Sequence, residues 1–155
     1  MSDEKKVFDD VNHPQHYAGQ GKVECIDFIE LMIKDYNAII AGCLFVVIKY
    51  TWRSHNKNGK QDIEKALWYA EKAVSKLDDY RDCVSCPISS AKLDPSEMQI
   101  VFDGIEEVQK TLTDEEAEYF RTIIACIING GLNDPLKDYS CNMIDALNKW
   151  VEIYK

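Results

Sequence analysis

A chain of 155 residues, 46% hydrophobic and 29% charged, has the makeup of a soluble globular protein of one domain, or one domain with a small appendage. A chain of this size buries about two-thirds of its unfolded surface, so folding requires no metal or disulfide staple. The formal net charge of −9 argues against non-specific binding to long nucleic acid unless basic groups are gathered in one place.

Residues 1–10 are charged and aperiodic, which predicts a mobile N-terminus. They show no signal-peptide pattern, and the longest apolar run, Ala38–Ile48, is too short to span a bilayer. The expectation is a cytoplasmic protein with no membrane partner. An ordered loop is predicted from Asn12-His13-Pro14, where Pro14 stiffens the backbone and biases His13 toward an extended conformation. From Glu24 the spacing turns helical, with Cys25, Phe28, Ile29, Met32 and Ile33 recurring at three and four residues. A second helix is predicted over about Tyr36 to Ser54. It is apolar nearly all round until Lys49, which marks it as the most buried element. His55 to Lys60, with Asn58-Gly59, reads as a turn, and a third helix follows with Asp62 near its start, ending at about Arg81.

Residues 83–94, rich in Cys, Pro and Ser, read as a connector between a domain at 11–82 and a helical region at 95–155. Cys83 and Cys86 form a lone C-x-x-C with no second pair to complete a zinc site, so no metal is expected there. Cys25, Cys43, Cys126 and Cys141 read as small hydrophobes. Asp94-Pro95 opens a helix with Met98, Val101, Phe102, Ile105 and Val108 on one face. Thr113-x-x-Glu116 is a capping box that opens the next, stopped by Gly130-Gly131. A last helix is predicted over about Tyr139 to Tyr154. The fold class is all-α, with about six helices: an N-terminal three-helix unit with its His-Pro loop, and a C-terminal helical unit.

Three clusters carry candidate chemistry. In the first, Asn12, His13, His16 and Tyr17 surround Pro14 on a loop, where hydrogen-bond donors for phosphate and a proton-shuttling imidazole are useful. In the second, Lys49 and Arg53 lie four residues apart on a helix beside Tyr50 and Trp52. The stretch from Lys49 to Lys60, which includes Lys57 and His55, holds five basic or titratable nitrogen groups and no acid. A basic, aromatic patch on an acidic protein suits a small anionic ligand such as a nucleotide. The third cluster is Asp62, Glu64, Lys65, Trp68 and Tyr69, where Lys65 is three residues before Trp68 and four before Tyr69; by itself it is an ordinary amphipathic helix. Glu24, Asp27 and Glu30 form an acidic ladder of the kind that can hold Mg²⁺, but no matching carboxylates stand on a second helix. No glycine-rich phosphate loop is present, so phosphate binding would rest on side chains and helix ends.

In order, these clusters resemble a tailed-bacteriophage family long catalogued as a domain of unknown function, with at least one member described as a nucleotide kinase. The family's Asn-His-Pro-x-His-Tyr stands here at Asn12 to Tyr17. Its acidic apolar helix stands at Glu24 to Glu30, its Ile-Lys-Tyr-x-x-Arg at Ile48 to Arg53, and its Asp-Leu-x-Lys-Ala-x-x-Tyr at Asp62 to Tyr69. Where the family often has Gly-Asn, this chain has Phe45-Val46. The likeness covers residues 11–82. It implies a (deoxy)nucleoside monophosphate kinase without a P-loop, with ATP or a dNTP as phosphate donor; the need for Mg²⁺ is left open. On that implication Lys49, Arg53 and Lys57 neutralise phosphates, His13 or His16 orients or deprotonates the acceptor, and Tyr17, Trp52 or Tyr69 stacks the base. If phage-encoded, the protein would act in the host cytoplasm. Two alternatives stand beside it: a nucleotide sponge that sequesters a host defence signal, and a protein–protein inhibitor acting through the acidic C-terminal helices. The many apolar positions in both halves point to a homo-oligomer.

Overall fold

A computed structural model describes residues 11, 12, 14, 17, 23–80, 91–130 and 143–154. Among them are six helices: α1 (Cys25–Ile33), α2 (Ala38–Arg53), α3 (Lys60–Tyr80), α4 (Pro95–Gln109), α5 (Asp114–Ile128) and α6 (Met143–Ile153). No strand occurs among the described residues, and the fold is all-α. No described helix is long and apolar enough to cross a membrane. The predicted N-terminal segment 1–10, Cys83 and Cys86 of the connector, and the start of the last helix at Tyr139 lie outside the described residues.

Local chemistry sets the starts of α2, α4 and α5. The Asn37 side chain accepts from the Ile39 and Ile40 amides at 2.9 and 3.5 Å, which places the start of α2 just after Tyr36. Asp94 and Glu97 form a reciprocal capping box around Pro95 at the head of α4, and Thr113 and Glu116 do the same for α5. At the C-terminal end of α2, Thr51 and Ser54 are buried and turn their hydroxyls back onto carbonyls of the preceding turn. A single 3₁₀ turn (Ser54–Asn56) then leads to Gly59, whose φ of 51° requires a residue without a Cβ penalty. The Gly59 amide donates to the Ser54 carbonyl at 2.8 Å and closes the corner.

This short corner folds α3 back along α2, and the two share the most extensive helix–helix contact. Their register is antiparallel. Arg53 meets Asp62, Tyr50 meets Lys65, and the Cys43 thiol feels the charges of Lys72 and Lys76. Each step back along α2 is a step forward along α3.

One apolar cluster joins both halves of the chain. At its centre the Phe28 ring lies 5.2 Å from Trp52 and 6.5 Å from Phe120, centroid to centroid. Each fully buried side chain of this kind contributes roughly 1.5–3 kcal/mol. Gly104 lets α4 approach α1, since a Cβ there would stand 2.6 Å from a Phe28 ring carbon. That approach turns the buried face of α4 toward Val101, Gly104 and Val108 and leaves Phe102, expected on the core face, 58% exposed. A similar limit applies to α2. Ile40, Leu44, Val47 and Ile48 are buried as expected, but Ile39 and Gly42 face outward. The Tyr36 hydroxyl donates to the Ile127 carbonyl, tying the entry of α2 to the end of α5.

Candidate functional site

The second sequence cluster forms the centre of the site. Tyr50 stands near the C-terminal end of α2 with three cations about its ring. The Lys49 ammonium is 4.9 Å from the ring centroid, the Arg53 guanidinium 4.7 Å and the Lys65 ammonium 5.4 Å. A ring face attracts cations through its quadrupole, so Tyr50 lowers the cost of gathering like charges.

The three cations are not equivalent. Arg53 is buried, 7% exposed, and its planar fork is engaged on Asp62: Nε donates to Oδ2 at 3.2 Å and Nη2 to Oδ1 at 3.1 Å. Asp62 is itself fully buried and also accepts from the Asn58 amide at 3.4 Å. The remaining nitrogen of Arg53, Nη1, donates to the Tyr17 hydroxyl at 2.6 Å. Burial disfavours the charged guanidinium, yet the Asp62 carboxylate and the Tyr17 oxygen outweigh it and hold the Arg53 pKa above its ordinary value. Arg53 is thus a structural cation that pins the N-terminal loop to the α2–α3 corner. Lys49 and Lys65 differ: among the described residues no carboxylate lies within ion-pairing distance of either ammonium.

Beside this cluster lies a cavity of about 230 Å³. Loop residues Val11, Asn12, Pro14 and Tyr17 form one wall, Ile26 and Ile29 of α1 another, and Phe45 and Lys49 of α2 a third. Phe45 supplies apolar surface here. The amide of Asn12 and the carboxyl of Glu24 add polar groups to its lining. Lys49 therefore belongs to both the cavity wall and the cation cluster. Cys25 also lines the cavity, but burial pushes its thiol far above the ordinary value of 9.0 against the pull of Lys49 and Arg53. It remains a protonated thiol and a poor nucleophile. Burial likewise raises the Tyr17 hydroxyl above 10.0, although Arg53 pulls the other way, so Tyr17 stays neutral.

Of the remaining expected site residues, Trp52 is 4% exposed and packs on Phe28, with no ring face open to a ligand. Lys57 is exposed on the turn after the 3₁₀ segment. Tyr69 is half-buried with its ring edge-on to Trp68. His13 and His16 lie outside the described residues. Asp27 and Glu30 of the acidic ladder are exposed, and among the described residues no three His, Cys, Asp or Glu side chains are grouped to hold a metal ion. The sequence reading missed Asp62 as the counter-ion of Arg53. Its signal was present: Asp62 is the first acid after a basic stretch, just past an Asn-Gly corner that folds the chain back.

A family model for a protein family of unknown function, DUF3310, matches residues 11–71. The match contains the loop, α1, α2, the corner and the first half of α3, and so every residue of the cation cluster and the cavity. No curated protein and no solved structure matches the chain.

Proposed function

We propose that this protein binds a small nucleotide, with Lys49 and Lys65 as the phosphate contacts and the adjoining cavity as the seat of the nucleoside. The observation that carries this reading is the pair of ammonium groups gathered on the Tyr50 ring at the edge of an apolar cavity. Two cations set against one ring, with no carboxylate partner among the described residues, leave a local positive charge on an acidic protein, and a phosphate group would neutralise it. The cavity has the apolar walls and few polar edges of a site for a flat organic group.

The resemblance to the phage family with a nucleotide kinase member adds a reaction to this binding role. The terminal phosphoryl of ATP or a dNTP would pass to a phosphate oxygen of a nucleoside monophosphate. One P–O bond forms, the bond to the donor's bridging oxygen breaks, and a nucleoside diphosphate leaves on each side. Such transfer depends on charge neutralisation and in-line positioning more than on covalent chemistry. Binding without turnover is the second reading. It is favoured by the commitment of Arg53 to Asp62, which leaves fewer cations for a transferring phosphoryl.

The test has two stages. Nucleoside mono-, di- and triphosphates are screened for a rise in melting temperature, since a ligand of the native state must stabilise it. Lys49→Ala and Lys65→Ala are expected to abolish or sharply reduce the rise; an unchanged rise in both variants sinks the assignment. Incubation with ATP plus each deoxynucleoside monophosphate then separates the two readings: new diphosphate indicates a kinase, tight binding of unchanged ligand a sponge.

A further inference from the structure

The chain has three tryptophans, and the fold treats one of them differently. Trp52 and Trp150 fill the core. Trp68, on α3, is 57% exposed. A lone exposed apolar side chain is ordinary, but Trp68 is not set at random on the surface. Its ring meets Tyr69 edge-on, 4.8 Å between centroids at 76°. Lys65 stands three residues earlier on the same helix, hence beside it on the surface, and the Lys65 ammonium is the one that reaches across to Tyr50. Lys72 follows Trp68 by four residues. Of the neighbouring acids, Glu64 is paired with Lys60 at 3.8 Å, and Glu71, three residues after Trp68, is exposed. In the antiparallel register of α2 and α3, Trp68 comes level with residue 47 and Tyr69 with residue 46, about one helical turn from the Tyr50–Lys65 contact. That is the order of separation between the 5′-phosphate and the base of a nucleotide.

We propose that Trp68 is a stacking platform for a nucleobase whose phosphate sits on Lys65, a second subsite on the α3 side of the lysine pair and distinct from the cavity on the α1 side. This rests on the phosphate-binding reading of Lys49 and Lys65 and adds to the cavity a second base contact, one that Trp52, buried in the core, does not supply. Stacking on an indole face accepts any base, so the subsite takes purine and pyrimidine nucleotides with little discrimination.

The test uses the full-length chain and its own tryptophan fluorescence, with ATP, CTP, ribose 5-phosphate and pyrophosphate as probes. Because the other two tryptophans are buried, stacking at Trp68 is read directly as quenching. The expected result is quenching by ATP and CTP, and a rise in melting temperature with pyrophosphate or ribose 5-phosphate that comes without quenching. Trp68→Leu, an exposed substitution, is expected to keep the fold and the pyrophosphate effect, lose the quenching, and weaken ATP binding by roughly tenfold or more. If Trp68→Leu binds ATP as tightly as the parent, or if the quenching survives in it, the subsite is wrong while the lysine pair stands. If neither pyrophosphate nor any nucleotide raises the melting temperature of the parent protein, the phosphate-binding reading falls, and the Trp68 subsite with it.

Discussion

Arg53 and Asp62 face each other across the α2–α3 corner in a two-point ion pair, with Nε–Oδ2 and Nη2–Oδ1 distances of 3.2 and 3.1 Å. Both groups are buried, and the third arm of the guanidinium reaches the Tyr17 hydroxyl. The pair joins three parts of the chain that no helix connects: the N-terminal loop, the end of α2 and the start of α3.

Removing one partner leaves the other charged in a dry place. Asp62→Ala is expected to destabilise the fold by about 3–5 kcal/mol, because the buried Arg53 loses its counter-ion. Arg53→Lys also destabilises, since one ammonium cannot span two carboxylate oxygens and the Tyr17 hydroxyl. The double variant Arg53→Met with Asp62→Leu should recover most of the loss. Urea denaturation at neutral pH checks the order; equal losses in the single and double variants would contradict it.

The same pair separates support from contact. If Arg53 acts by holding the loop and corner, the Arg53→Met/Asp62→Leu protein retains pyrophosphate binding within a few-fold. Lys49→Ala, by contrast, removes a charge-assisted hydrogen bond and weakens binding by roughly ten- to a hundredfold. Calorimetric titration of both proteins measures the difference. A larger loss in the double variant than in Lys49→Ala would make Arg53 the phosphate contact instead.

Two helical glycines are expected to respond in opposite directions to the same change. Gly104→Ala forces a Cβ to within 2.6 Å of Phe28 in the central aromatic cluster and should destabilise by about 1–3 kcal/mol. At Gly42, exposed on α2, a Cβ meets nothing within 4 Å, so Gly42→Ala should stabilise by roughly 0.4–1 kcal/mol through helix propensity. Thermal denaturation of the two variants beside the parent shows the sign of each.

Glu116 is a buried carboxylate that closes the α5 cap and also accepts from Trp150 Nε1 at 3.0 Å and the Tyr154 hydroxyl at 3.2 Å. Burial alone would raise its pKa, but hydrogen bonds from Thr113, Trp150 and Tyr154 outweigh burial and hold it below the ordinary 4.5. A depressed folded-state pKa means stability that is present above pH 4.5 and lost as the pH falls through the lower folded value. Glu116→Gln, which offers one oxygen where the carboxylate offers two, should cost about 1–3 kcal/mol at neutral pH and flatten the loss of stability below pH 4.5. Denaturation midpoints across the acid range test this; parallel acid limbs in the two proteins would count against it.

Much of the fold was legible in the residues alone, because its signals are local. The spacing of Phe28, Ile29 and Met32, the Asp94-Pro95 start, and the Thr113–Glu116 box each act within one or two helical turns. So does the Asn58-Gly59 corner, and the all-α class follows from these elements. Lys49, Tyr50 and Arg53 were also legible as a basic, aromatic group, whereas Lys65 joins them only through the packing of α3 on α2. Their division of labour was not. Whether Arg53 faces a ligand or Asp62, whether Trp52 or Trp68 presents an open ring, and whether Phe102 packs inward all depend on how one helix seats against another. Such choices are made by close approach, such as that of α4 to Phe28 at Gly104, and by the expense of burying a charge without its partner. Periodicity assigns a residue to a face of its helix; only the packing of α1, α3 and α4 around α2 decides what that face meets.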